Sequence, residues 1–285
     1  MYAERHKVLA MLHEKKLNIE EAEGLLDALE MRRDTPGPTM PKPELVGDSD
    51  WAQQFRRTIA KIAATQAPVL VQGEMGTGKM LIARSIHYNS PRANGPFVEC
   101  SAEGETIAGE LFGREDISPA KKGLLDMAHG GTLCIDLVRK LPADVQRDLH
   151  AFLRDGHFTR VGGSAPIYAD VRIIGATHGD LKPFVERGEF RSDLYYRLSV
   201  CLLQSAPLRE RREDIPTLTR HFTAVQAERD GRKPPRISPE VMQLFAEYEW
   251  PTNVSQLNQV MIKATALCDD GEIALRHLPE LDTVQ

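Results

Sequence analysis

Residues 73–79 read Gly-Glu-Met-Gly-Thr-Gly-Lys, directly after a short apolar run, Val69 to Gln72, and directly before a helical pattern that starts at Lys79. This G-x-x-x-x-G-K spacing, in that strand-then-helix context, restricts the fold more than any other feature. Glycines allow successive backbone N–H groups to converge on an anion, and the helix N-terminus adds the positive end of its dipole. Lys79 can then reach the β- and γ-phosphates of a nucleotide. The candidate nucleotide-binding residues are therefore Gly73, Glu74, Met75, Gly76, Thr77, Gly78, Lys79 and Met80. Position 80 departs from the usual pattern, which places a Ser or Thr hydroxyl on Mg²⁺; a thioether is a poor ligand for that hard cation. Nucleotide binding is expected, with magnesium held weakly.

Thr132–Ile135 and Val171–Gly175 are further apolar, β-rich runs, and helical patterns separate them. Strands alternating with helices imply a parallel sheet covered on both faces. From about residue 211 the strand signals cease and three or four helical patterns follow. The expected organisation is a helical hairpin over 1–30, a linker over 31–44, an α/β core over 45–210 and a helical domain over 211–285. In the hairpin, Val8, Leu9, Met11 and Leu12 give one apolar side, Leu25, Leu26 and Leu29 the other, and Asn18 with Glu21 fits a helix start. So short a hairpin cannot bury enough surface to stand alone. The linker carries four prolines, which favours an extended connection.

A formal charge of −5 provides no basic surplus for phosphate-backbone contacts, which argues against an autonomous nucleic-acid binder. No run of about 18 apolar residues is present to span a bilayer, and the charged N-terminus is unlike a signal segment. A cytoplasmic protein without a membrane partner is expected. The four cysteines, Cys100, Cys134, Cys201 and Cys268, form no CxxC pair and are expected to be small buried hydrophobes.

From about residue 45 to 280 the chain resembles the AAA+ domain of sigma-54-dependent transcription activators. The collinear segments are Glu74–Lys79, Glu110-Leu111-Phe112-Gly113, Ala128-His129-Gly130-Gly131-Thr132-Leu133 and Arg160-Val161-Gly162-Gly163. Phe190-Arg191-Ser192-Asp193-Leu194-Tyr195-Tyr196-Arg197-Leu198, Pro207-Leu208-Arg209-Glu210-Arg211 and Trp250-Pro251 continue the series. The resemblance implies an AAA+ P-loop core followed by a helical lid, assembled into a ring with ATP or ADP at subunit interfaces. It implies that Asp136 holds Mg²⁺ through water and that His178 is the polar sensor. It also implies that Arg191 and Arg197, six residues apart, reach a neighbour's nucleotide; guanidinium groups bind phosphate oxygens bidentately.

Five departures from the family pattern stand out, four in the chemistry of the site and one in the output loop. The family's catalytic glutamate after Asp136 is Leu137 here, with no proton acceptor; loss of a general base costs about 10²–10⁴-fold in rate. The lid arginine expected after Asn253-Val254 is Ser255, and Met80 replaces a polar residue. The loop that carries Gly-Ala-Phe-Thr-Gly-Ala and grips sigma-54 is replaced by the shorter run Arg114–Lys122, without that motif. The stretch Phe97–Gly109 contains no asparagine to restrain a catalytic glutamate. The expectation is a pseudo-ATPase that binds nucleotide and acts as a regulatory subunit or adaptor, joining copies of itself or an AAA+ paralogue. A slow ATPase remodelling another partner, with Glu74 or Asp116 as substitute carboxylate, and a nucleotide-independent scaffold are the alternatives. The chain ends soon after Leu281, so no DNA-binding helix-turn-helix is expected.

Overall fold

The computed structural model describes residues 43–104 and 106–281; the expected hairpin and all but the end of the linker lie outside them. Strand β1 (Val69–Gly73) is buried at every residue. A strand apolar on both faces belongs in the middle of a parallel sheet, where helices cover both sides. It pairs in parallel with β6 (Arg172–His178) on one side and β7 (Cys201–Ser205) on the other. With β2 (Phe97–Ser101) and β3 (Thr132–Asp136), the five-stranded order is β2-β3-β6-β1-β7. The registers align Gly73 with His178 and Ser205, and Ser101 with Asp136. The carboxyl ends of the strands thus form one edge, the usual place for ligand-binding groups in such sheets.

Alternate residues of the strands serve two cores. Leu70, Leu133, Ile135 and Ile173 face one cluster, while Val69, Val71, Cys134 and Ile174 face the other. Helix α1 (Asp50–Ala63) covers the second face with Phe55, Ile59 and Ala63. Ser49 caps it, its hydroxyl accepting from the Ala52 N–H. Helix α2 (Lys79–Tyr88) follows the glycine loop on the same face, burying Ile82, Ala83 and Ile86. The other face carries α3 (Ile107–Phe112), the short α4 (Leu124–Met127) and α5 (Ala143–Asp155), which ends at Gly156 in the left-handed conformation. The two-residue strands β4 (His157–Phe158) and β5 (Ile167–Tyr168) pair antiparallel after α5. Helices α6 (Lys182–Glu186) and α7 (Ser192–Leu198) lie between β6 and β7.

The lid comprises α8 (Ile215–Arg229), α9 (Pro239–Glu247) and α10 (Asn253–Leu267) around a core that includes Leu218, Val241, Phe245, Leu257 and Met261. Trp250 is fully buried in it, its indole N–H donating to the Phe245 carbonyl at 2.9 Å. The second part is the expected helical lid, with one small addition. Strands β8 (Arg236–Ile237) and β9 (Glu272–Ile273) pair in parallel there. Two-residue strands carry no periodicity that sequence reasoning can use.

The cysteines also depart from expectation. Cys134 and Cys268 are buried, but Cys100 and Cys201 are only half-buried. Burial still pushes the Cys100 thiol up to about 12 and Cys134 well above its ordinary value, so neither is a reactive thiolate.

Candidate functional site

The loop after β1 is shaped by its glycines. Gly76 and Gly78 hold φ +76° and +93°, and Gly78 is the N-cap of α2. A Cβ at Gly76 would overlap the Thr252 carbonyl oxygen of the lid, so glycine is required there for space as well as for conformation. Among the described residues, the N–H groups of Met75, Gly76, Thr77 and Gly78 have no hydrogen-bond partner. Backbone donors left over at a helix N-terminus are what an anion needs, so the loop fits a phosphate group. Lys79 is 5% exposed, and its ammonium donates to the carbonyls of Gly73 (3.0 Å) and Glu74 (2.7 Å). Burial lowers its pKa, opposed by the nearby Asp136 carboxylate.

Asp136 ends β3, beside β6 in the sheet. One of its carboxylate oxygens accepts from the Leu137 N–H at 2.8 Å, leaving the other oxygen available for a hydrated cation. His178 ends β6 next to Gly73. Burial first, and the Lys79 ammonium second, push its pKa below the ordinary value, which favours the neutral ring at neutral pH. The sheet therefore brings Gly73–Lys79, Asp136 and His178 together at its carboxyl edge.

Leu137 occupies the position after Asp136 with φ 54° and ψ 37°. Its side chain packs against the apolar cluster beneath α3 and α5. Neither carboxylate suggested as a substitute is free. Glu74 is held by the Arg209 guanidinium at 2.6 and 2.8 Å and accepts from the Asn253 amide at 3.2 Å. That ion pair holds its carboxyl down at about 2. Asp116 is bonded at both oxygens by Arg114.

The Met80 side chain packs against the apolar cluster under α2, with its sulfur 3.8 Å from the Cys134 sulfur. Thioether and thiol fill space between helix and sheet. Arg191 and Arg197 do not belong to the loop cluster; both are exposed at α7. Arg191 is bonded at two nitrogens by Asp193 (3.0 and 2.7 Å), while Gln146 accepts from its backbone N–H. Arg197 makes no ion pair among the described residues.

The residues that sequence reasoning missed are those that hold the loop from behind. The buried Arg211 donates to the Thr77 carbonyl at 3.3 Å and stacks over Trp51. The Ser205 hydroxyl reaches the same carbonyl at 3.1 Å. Arg209, in the segment between β7 and the lid, and Asn253, in the lid, hold Glu74. These partners lie more than 120 residues from the loop in sequence, and no spacing rule connects them.

The shortened run after Gly113 closes on itself. Arg114 and Lys121 exchange both backbone hydrogen bonds at 2.9 and 2.8 Å. Glu115 N–H donates to the Val161 carbonyl, and Arg160 bridges Glu115 (3.4 Å) and Asp126 (3.2 Å). In the lid, Cys268, Asp270 and His277 converge with ligand atoms within 4.8 Å of one another. The Ala274 N–H donates to His277 Nδ1 at 3.1 Å, so Nε2, which faces Asp270, carries the ring proton. That tautomer opposes metal ligation through Nε2.

The sequence profile of the Sigma-54 interaction domain matches residues 45–204, and that of an AAA+ ATPase lid domain matches residues 209–283. The chain is 37% identical over 279 residues to the DNA-binding transcriptional regulator NtrC of Klebsiella pneumoniae, covering 93% of this chain and 60% of the relative. It is 42% identical over 243 residues to nitrogen fixation protein AnfA of Azotobacter vinelandii, covering 82% and 46%. The crystal structure of NtrX from Brucella abortus in complex with ATP superposes with a TM-score of 0.80 at 38% identity, covering 90% of this chain and 58% of that one. Its complex with ADP gives 0.77 at 37%, covering 95% and 62%. The chain thus spans less than two thirds of the length of these relatives.

Proposed function

The chain belongs to the sigma-54 interaction domain family of AAA+ proteins, and on that premise we propose that it binds ATP or ADP at the Gly73–Lys79 loop while hydrolysing it slowly or not at all. It serves as a regulatory subunit or adaptor for copies of itself or an AAA+ paralogue. The loop amides would hold the phosphates, Lys79 would neutralise their charge, and Asp136 would hold Mg²⁺ through water. His178, neutral at the sheet edge, would present a polar ring to the outer phosphate. Bound Mg²⁺–nucleotide would supply the phosphoryl group and its electrophilic phosphorus.

One observation carries the reading: Leu137 puts a half-buried apolar side chain, packed against the core, where the family orients the attacking water. Glu74 and Asp116, the two carboxylates suggested in its place, are each engaged by an arginine. The crystal structures of NtrX in complex with ATP and with ADP support nucleotide binding by a chain of this fold. The closed Arg114–Lys121 turn, lacking the family's loop motif, supports a role other than gripping sigma-54. The exposure of Arg191 and Arg197 supports their use across an interface.

Titration with a fluorescent adenine nucleotide and phosphate release, measured side by side, test this. Saturable binding that Lys79→Ala abolishes, with very slow turnover, is expected. Turnover of about 1 s⁻¹ or faster, sensitive to Lys79→Ala, overturns the pseudo-ATPase reading. Absence of binding overturns the nucleotide reading altogether.

A further inference from the structure

The carbonyl groups of the phosphate loop are all engaged. Lys79 bonds those of Gly73 and Glu74, and Ser205 and Arg211 bond that of Thr77. The two between them are bonded from the lid. The Asn253 side-chain amide donates to the Met75 carbonyl at 2.9 Å, and the Ser255 backbone N–H donates to the Gly76 carbonyl at 3.2 Å. A peptide unit is planar, so its carbonyl and the next residue's N–H point in opposite directions. Fixing the Met75 and Gly76 carbonyls from behind therefore fixes the Gly76 and Thr77 N–H groups on the opposite side, where the loop fits an anion.

Asn253 is built for this contact. It is fully buried and holds φ 55°, a conformation that asparagine tolerates better than most residues. Both ends of its amide are used. The oxygen accepts from the Leu208 N–H at 2.7 Å, and the nitrogen donates to the Met75 carbonyl and to Glu74 at 3.2 Å. One side chain of the lid thus joins the loop to the segment after β7. Aspartate could not donate.

We propose that Asn253 is the positioning residue of the phosphate loop, and that the lid acts on bound nucleotide through the direction of the Gly76 and Thr77 amides rather than through a cation at position 255. This rests on the reading that the loop holds nucleotide. It assigns the lid a contribution that the loss of charge at Ser255 leaves intact.

The test compares Asn253→Asp with Phe245→Leu, a lid-core change that lowers stability away from the loop. Three quantities are measured on the full chain: melting temperature, affinity for a fluorescent adenine nucleotide, and amide hydrogen exchange at residues 75–78 without nucleotide. Asn253→Asp is expected to weaken nucleotide binding about tenfold or more, from the loss of one neutral and one charge-assisted hydrogen bond, and to speed exchange at those amides. Phe245→Leu is expected to lower the melting temperature without either effect. Glu74→Gln combined with Asn253→Asp restores one bond with donor and acceptor exchanged, and part of the affinity returns. Equal affinity losses in Asn253→Asp and Phe245→Leu at equal loss of melting temperature overturn the proposal, as does unchanged exchange at the loop. If the unmodified chain binds no nucleotide, the nucleotide reading fails, and the exchange comparison still decides whether Asn253 shapes the loop.

Discussion

Leu137 holds a left-handed backbone conformation at the end of β3, which costs a side chain of this kind about 1–2 kcal/mol. The turn that follows retains it: Lys140 N–H donates to the Leu137 carbonyl at 2.7 Å, and Leu137 N–H to Asp136 at 2.8 Å. The backbone geometry is therefore set by the turn, and a different side chain at 137 would inherit it. Leu137→Glu is expected to raise phosphate release at least tenfold, a part of the roughly 10²–10⁴-fold contributed by a general base. Ser255 leaves the lid cation missing and limits the gain. Steady-state phosphate release by the variant and the unmodified chain checks this; no increase would show that the defect lies beyond the base. At this scale the loop pattern marks Lys79 because its spacing is local, whereas Asp136 and His178 follow from the family resemblance and stand at strand ends beside the loop. The turn of the Met80 side chain toward Cys134 depends on how α2 packs on the sheet, which no local pattern reveals.

Among the elements, the phosphate loop and the lid are joined through Glu74. Hydrogen bonding from Arg209 is the largest cause of its carboxyl lying at about 2, against an ordinary 4.5. A carboxyl whose pKa is depressed by folding adds stability that is complete above the unfolded value and is lost as pH falls through the folded one. Glu74 is 41% exposed at its side chain, so solvent screening reduces the contribution. The melting temperature of Glu74→Gln should fall below that of the unmodified chain near neutral pH, and the gap should close between about pH 4.5 and about pH 2. A gap independent of pH would show that charge at Glu74 does not hold the contact. Strand legibility follows position in the sheet. The runs at 69–72, 132–135 and 171–175 are β1, β3 and β6, the three central strands, apolar on both faces. The strands β2 and β7 lie at the edges and carry exposed or half-buried residues such as Glu99, Leu202 and Gln204. Their mixed patterns are hard to separate from loops.

For the molecule as a whole, the arrangement of charge suggests how copies would meet. Arg191 and Arg197 stand exposed at α7, and the Asp193 carboxylate that holds Arg191 is a surface partner that a phosphate can displace at small cost. Nucleotide bound at an interface stabilises the assembled state by mass action. Sedimentation velocity should therefore show nucleotide-dependent self-association, or association with an intact AAA+ paralogue, that Arg191→Ala and Arg197→Ala each weaken. A monomer with and without ATP, unchanged by either substitution and by a paralogue, would remove the interface role. Among the described residues no helix is long and apolar enough to cross a membrane.

The bond between Asn253 and Glu74 spans 179 positions, and this has a consequence for biogenesis. During synthesis the glycine loop leaves the ribosome long before the residues that direct two of its amides. Contacts this distant in sequence form late, because chain closure must come first. The sheet can gather while the nascent chain is still growing, yet the loop keeps two unpinned peptide units until the lid emerges. Two of the loop's peptide units thus gain their restraint only once the lid has been made, so a nascent chain lacking its lid would hold them loosely.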